Sequence, residues 1–115
     1  MLSGVTSNFE DPCIFIARWT VVETELGERH LVGDNLATGL GRVSSAICQY
    51  DPVTKQFVTR SGRLYRVTDR GQVSREAWFA WEAWASFNGV RTWREVMDDY
   101  ETVTRVSAAG GSLGQ

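Results

Sequence analysis

Short runs of β-branched and aromatic residues, separated by turn-forming residues, fill most of the first 68 positions of the chain. The run CIFIARWTVVET, residues 13–24, opens with continuously apolar positions, which indicates a strand buried on both faces. RHLVGDNL, with Gly33 as a candidate bulge, RVSSAICQY, QFVTR and RLYRVT follow, with turns such as Asp51-Pro52 between them. Successive strands joined by short turns predict an antiparallel β-meander of about five strands over residues 13–68, able to curl toward a small barrel.

The periodicity changes at Ser74, which is a suitable N-cap for the run SREAWFAWEAWASFNG. The Asn88-Gly89 pair at its end suits a helix C-terminus, so the sequence predicts a helix over residues 74–89. This helix carries apolar stripes on two nearly opposite sides, Trp78/Trp81/Trp84 and Phe79/Ala83/Phe87. A helix of this kind is either sandwiched between the sheet and another element, or one of its stripes is an interface.

A second helix is predicted over residues 92–101. Thr92 and Glu95 have the spacing of a capping box, in which a hydroxyl and a carboxylate each satisfy a free backbone N–H. Apolar side chains follow at helical spacing, at Trp93, Val96, Met97 and Tyr100. Strands followed by two C-terminal helices make the predicted fold class α+β.

The length of 115 residues suits one domain, placed at residues 12–105 between an irregular arm (1–11) and a C-terminal tail (106–115). The chain contains five Trp, five Phe and three Tyr, and most of these must fill the core of so small a domain. Trp19, Trp81 and Trp93 each lie on an apolar face and are predicted core residues. The opening residues lack a secretory pattern and no apolar run reaches the length of a membrane span, so a cytoplasmic protein without membrane contact is expected.

Candidate catalytic and metal-binding residues are few. Cys13 and Cys48 lie in strand-like runs outside any metal-ligand spacing, which favours free buried thiols, with pairing between two strands as the alternative. His30 is the only histidine, and a structural role at the surface or half-buried is favoured over that of a catalytic base. Asp98 and Asp99 fall on the polar side of the predicted second helix. The sequence therefore predicts no cofactor, no metal and no enzymatic activity, with an enzyme as a remote alternative.

Residues 42–75 are basic, between two acidic flanks. If Ser61-Gly62 forms a two-residue turn, arginines pair across it and extend along the sheet next to a tyrosine. This predicted basic strip consists of Arg42, Arg60, Arg63, Tyr65 and Arg66. Positive charge beside an aromatic ring suits an acidic protein patch or single-stranded nucleic acid, whereas solvent-facing arginines that keep a sheet edge soluble are the alternative.

RVSSAI at residues 42–47 and YDPVTKQFVTRSGRLYRV at residues 50–67 resemble small bacterial proteins carried on phages, plasmids and similar mobile elements. The resemblance covers about a quarter of the chain and implies a genomic context, with no assigned activity and no catalytic residues. Small acidic proteins of such elements often inhibit host machinery by binding to it, anti-CRISPR proteins among them.

These observations predict a non-enzymatic protein-binding module from a mobile genetic element, such as an anti-CRISPR-like inhibitor of a host defence complex. The alternative is a nucleic-acid-associated accessory protein that uses the basic strip. The Phe79/Ala83/Phe87 stripe is a candidate interface, most simply in a symmetric homodimer. In the competing arrangement, Trp93, Met97 and Tyr100 cover this stripe within one chain.

Overall fold

The computed structural model describes residues 13–68, 71–97 and 99–100. These residues form seven strands and one helix: β1 (Cys13–Thr24), β2 (Arg29–Asn35), β3 (Gly41–Val43), β4 (Ile47–Asp51), β5 (Gln56–Thr59), β6 (Leu64–Val67), α1 (Arg75–Phe87) and β7 (Trp93–Glu95). The fold is α+β, as the sequence predicts. The predicted arm and tail lie outside the described residues.

The strands form one mixed sheet in the order β3-β2-β1-β6-β5-β4, with β7 also paired to β1. The pairing of β1 with β6 is parallel, which corrects the prediction of a purely antiparallel meander. β3 and β4 follow one another in the same direction, so the chain from β1 to β6 makes five passes up and down the sheet. After an odd number of passes, the first and last strands point the same way. Those two strands can therefore meet only in parallel. The sheet curls far enough for this contact but does not close into a barrel.

The predicted strand RVSSAICQY is split. β3 pairs with β2 and β4 pairs with β5, and both run in the direction of β1. Between them, the Ser44 N–H donates to the Leu31 carbonyl at 2.9 Å, and the Ala46 carbonyl accepts from the Arg60 N–H at 2.7 Å. One extended segment thus begins against β2 and ends against β5.

The bulge expected at Gly33 lies on the facing strand. The register of β1 against β2 shifts between Ala17 and Thr20, and Arg18 adopts a φ of 50°. A Cβ atom at Gly33 would lie 2.9 Å from the Ala17 carbonyl oxygen. The glycine therefore gives room for the bulge instead of forming it.

Helix α1 begins as predicted. The Ser74 hydroxyl accepts a hydrogen bond from the Ala77 N–H at 3.0 Å and donates one to Asp34 of β2 at 2.7 Å. The helix ends at Asn88, whose N–H donates to the Trp84 carbonyl, and Gly89 follows with a φ of 73°. The cap therefore both satisfies the first turn of α1 and joins the helix to the sheet.

The predicted helix at residues 92–101 is wrong over its first part, because Trp93–Glu95 forms β7 antiparallel to the end of β1. The Glu25 carboxylate accepts hydrogen bonds from the N–H groups of Arg91 and Thr92, which a helix start would leave free. The Thr20 hydroxyl donates to the Glu95 carboxylate at 2.7 Å. Partners in β1 and directly after it, distant in sequence, thus override the local capping-box pattern.

Two apolar clusters hold the fold together. One consists of Ile16, Trp19, Val21, Leu31, Phe57, Tyr65, Val67 and Val96, and the other, under α1, of Val22, Val32, Ala77, Trp81 and Ala85. Trp19 and Trp81 are buried as predicted, whereas Trp93 is 38% exposed. The error at Trp93 follows from β7, which holds its ring against the outside of Trp78 at 5.3 Å.

Candidate functional site

The basic strip does not form a free row of charges. Tyr65 is only 2% exposed, and its hydroxyl accepts a hydrogen bond from the Arg42 Nε at 3.2 Å. Arg60 is exposed and pairs with the Glu28 carboxylate. The buried Tyr65 ring cannot stack on a base, and the charge of Arg60 is balanced within the chain.

Two arginines of the strip meet at a groove of about 620 Å³. Its described lining residues include no acidic side chain and are Cys13, Ile14, Phe15, Asn35, Leu36, Ala37, Thr38, Arg42 and Arg63. Arg66 is exposed on β6, directly across from Phe15. The groove is therefore lined by both basic and apolar side chains.

Sequence reasoning missed this groove because it placed both faces of the first strand in the core. Phe15 is 45% exposed and Leu36 is 55% exposed. The sequence did contain a signal for this exposure. Phe15 lies between Ile14 and Ile16, which face the first apolar cluster, and neighbouring side chains of a strand point to opposite faces. Period-two alternation across the apolar run would have placed Phe15 on the other side of the sheet.

The Phe79/Ala83/Phe87 stripe of α1, hereafter the phenylalanine stripe, is open in the described residues. Phe79 is 74% exposed, Phe87 is 90% exposed, and Ala83 between them is also exposed. The opposite side of α1 is fixed in the core by Trp81, with Trp78 and Trp84 half-buried beside it. One side of the helix therefore packs on the sheet, while the other presents two aromatic rings outward.

The phenylalanine stripe is not covered by Trp93, Met97 and Tyr100, the three residues predicted to cover it within one chain. Trp93 packs on Trp78 and meets the ring of Trp81 edge-on, with centroids 5.7 Å apart. Met97 and Tyr100 pack against the first apolar cluster and not against the cluster under α1. Trp93 lies in β7, Met97 in a turn after it and Tyr100 in a helical conformation, so the three residues do not form one continuous helix that packs on the phenylalanine stripe.

His30 is fully buried, at 2% exposure, and not at the surface or half-buried as expected. It lies under α1, with its ring centroid 4.5 Å from that of Trp84 and 5.7 Å from that of Trp81. Its Nδ1 lies 2.9 Å from the Ser44 carbonyl oxygen, which can only accept, so Nδ1 carries the proton. Nε2 has no hydrogen-bond partner among the described residues, and the nearest carboxylate, Glu28, is 3.9 Å away.

This environment predicts a pH-dependent stability. Burial lowers the pKa of His30, against smaller raising effects from the Ser44 carbonyl and Glu28 and a lowering effect from Arg60. The unfolded chain then takes up the proton first, so stability should fall as the pH drops below about 6.5, the ordinary value for histidine. Urea unfolding at several pH values from about 7.5 to 5 measures this slope.

The control for this prediction is His30→Asn, which keeps a donor for Ser44 without a group that titrates in this range. We expect the variant to be less stable but to lose the slope between about pH 7.5 and 5. Carboxylates whose pKa is lowered in the folded protein, such as Glu23 and Asp51, also reduce stability as the pH falls, but only at more acidic pH. An equal slope in both proteins would show that His30 does not titrate on unfolding.

The remaining candidate residues are the two cysteines, Asp98 and Asp99. Both cysteines are free, which excludes their pairing; Cys13 is half-buried and Cys48 is exposed, so only the first resembles the expected buried thiol. Burial raises the pKa of the Cys13 thiol and keeps it protonated. Asp99 is exposed and forms an ion pair with Arg29 at 2.6 Å, while Asp98 lies outside the described residues.

Within the described ranges, no group of three or more His, Cys, Asp or Glu side chains is placed to hold a metal ion. In the same part of the chain, no helix combines the length and the apolar character that a membrane crossing requires. No protein-family model matches the chain, and no curated protein or solved structure matches it either.

Proposed function

We propose that this protein is a non-enzymatic protein-binding module whose contact surface is the phenylalanine stripe of α1. The exposure of Phe79 and Phe87, at 74% and 90%, carries the proposal. Burying one such side chain contributes about 1.5–3 kcal/mol, so leaving two in water on one short helix forgoes a favourable contact. A contiguous apolar patch of this kind marks interaction surfaces in soluble proteins.

The helix is well suited to present this stripe. Its N-cap is bonded to Asp34 of β2, and its inner side is fixed by the fully buried Trp81. The outward side chains therefore stand on a rigid support, which lowers the entropy lost on binding.

The nature of the partner is proposed from the genomic context that the sequence resemblance implies. The resemblance of residues 42–47 and 50–67 to proteins of mobile elements supports a host protein or complex as the partner. An anti-CRISPR-like inhibitor of a host defence complex would act in this way, by occupying a surface and without chemistry of its own.

The second candidate is a nucleic-acid-associated accessory protein. It is favoured by the convergence of Arg42 and Arg63 on one groove whose described lining has no acidic side chain. The burial of Tyr65 and the pairing of Arg60 with Glu28 count against it, because they remove the stacking ring and one of the strip's charges.

A comparison of two charge variants separates these functions. Tagged wild type, Phe79→Glu/Phe87→Glu and Arg60→Glu/Arg63→Glu are used to capture partners from bacterial host lysate, with and without nuclease. We expect one stoichiometric protein, identified by mass spectrometry, to bind the wild type and the arginine variant but not the phenylalanine variant. All three should keep the same circular dichroism spectrum, because Phe79, Phe87 and Arg60 are exposed and Arg63 is only half-buried, and charges near the surface contribute about 1 kcal/mol or less each.

Two results would contradict the proposal. Retention of the protein partner by the phenylalanine variant would remove the stripe from the contact surface. Capture of nuclease-sensitive material that is lost only in the arginine variant would favour the nucleic-acid function.

A further inference from the structure

We propose that the phenylalanine stripe also pairs with the same stripe of a second copy of this chain, as an antiparallel helix pair with its two-fold axis at Ala83. This inference rests on the proposed function, since it uses the same contact surface. Its geometry, however, comes from the spacing and charges of α1 alone.

The stripe is symmetric about its centre. Phe79 and Phe87 are each four residues from Ala83, so all three lie in one row along the helix, and the two rings start about 12 Å apart. A two-fold axis at Ala83 places Phe79 of one protomer against Phe87 of its partner, and the reverse. The small central side chain lets the two helices approach closely at the crossing point, while the rings close both sides.

The charges beside the stripe favour the antiparallel arrangement. The exposed charged side chains of α1 are Arg75, Glu76 and Glu82. In a parallel pair each of them would face its own copy, and the two helix dipoles would also point the same way. Turning one helix around separates Glu76 from its copy by about 21 Å and Arg75 from its copy by about 24 Å along the axis, and it opposes the dipoles. Glu82, one residue from the axis, stays about 3 Å from its copy along the axis in the antiparallel pair.

The size of the patch predicts a weak dimer. An aromatic side chain buries about 150–250 Å² when it is covered, so four fully exposed rings would account for about 600–1,000 Å². Because Phe79 is 74% exposed and Phe87 is 90% exposed, roughly 500–800 Å² of this area is available for burial. The total lies below the range of stable interfaces, about 1,200–2,000 Å², which predicts dissociation in the micromolar range or above. A partner with a larger apolar surface would compete effectively for the stripe.

Cysteine cross-linking tests the axis directly. In a Cys13→Ser/Cys48→Ser background, Ala83→Cys should give a disulfide-linked dimer under mild oxidation, because this position meets itself at the crossing point. The matched control is Glu76→Cys, an exposed position on the same side of α1 two turns away. In the antiparallel pair it remains unlinked. Cross-linking of Glu76→Cys would show a parallel pair, and no cross-linking at Ala83→Cys would exclude an axis at this residue.

Sedimentation equilibrium from about 10 μM to 1 mM measures the association itself. We expect the wild type and Glu82→Gln to move from monomer to dimer over this range, and Phe79→Glu to remain a folded monomer. A wild type that stays monomeric at about 1 mM would overturn the dimer. That result would leave the proposed function standing, because capture of another protein by the stripe is measured independently of self-association.

Discussion

Replacing Trp81 with alanine is expected to lower the free energy of unfolding by about 3–5 kcal/mol, the usual cost of removing a fully buried aromatic side chain. Trp81 has no exposed surface and lies between the sheet and α1. Its ring is stacked on that of Trp84, with centroids 5.4 Å apart, and lies against His30 and Trp93. Urea unfolding followed by circular dichroism measures the change.

Three variants serve as controls for this prediction. Trp81→Phe should cost less, because it keeps an aromatic ring and removes an indole N–H that has no hydrogen-bond partner among the described residues. Phe79→Ala, on the exposed side of the same helix, should change stability little. The loss of stability in Trp93→Ala should lie between those of Trp81→Ala and Phe79→Ala, since the Trp93 ring is 38% exposed. If Trp81→Ala unfolded at the wild-type urea concentration, α1 would not be packed as described.

Placing a single methyl group at Gly41 is expected to cost about 1–3 kcal/mol, as overpacking does in other tightly packed sites. Gly41 lies in β3 directly under the first turn of α1. A Cβ atom there would be 2.6 Å from the Glu76 carbonyl oxygen and 2.8 Å from the Ala77 Cα. Both are backbone atoms, so the helix must move as a unit to make room. Gly41→Ala should therefore lower stability and change tryptophan fluorescence, because α1 carries three of the five tryptophans.

Leu40→Ala is the matched control, since the neighbouring side chain is 66% exposed and its loss leaves the helix contact intact. We expect its unfolding midpoint to stay close to that of the wild type. Equal stability of Gly41→Ala and Leu40→Ala would mean that the close approach of β3 and α1 does not exist in solution.

The elements defined by local chemistry were predicted correctly. The run of residues 13–24 forms one strand with the predicted bounds, and α1 lies within the predicted range 74–89, with the expected cap. The serine cap and the Asn-Gly end act on backbone groups within a few residues of themselves. For that reason both signals can be recognised from a short stretch of sequence.

The helix predicted after α1 is wrong over its first part, Trp93–Glu95, although its sequence pattern was clear. Thr92 and Glu95 have capping-box spacing, and the following apolar residues have helical spacing. In the structure, the Glu25 carboxylate takes the Thr92 N–H that Glu95 would accept in a capping box, and the Glu95 carboxylate accepts from the Thr20 hydroxyl instead. β1 also offers an unpaired edge where β6 ends. A short helix has little stability of its own, so hydrogen bonds to an existing strand can replace it.

For the candidate surfaces, too, the sequence determined one part and the tertiary structure decided the other. The sequence alone determined that α1 has two apolar sides, because helical periodicity assigns each residue to a side regardless of context. Only the tertiary structure decided that Trp81 faces the sheet, that Phe79 and Phe87 remain exposed, and that Tyr65 of the basic strip is buried. The physical reason is that burial depends on which distant segments arrive at a surface. The parallel return of β6 and the addition of β7 are pairings across more than 40 residues, which no local pattern records.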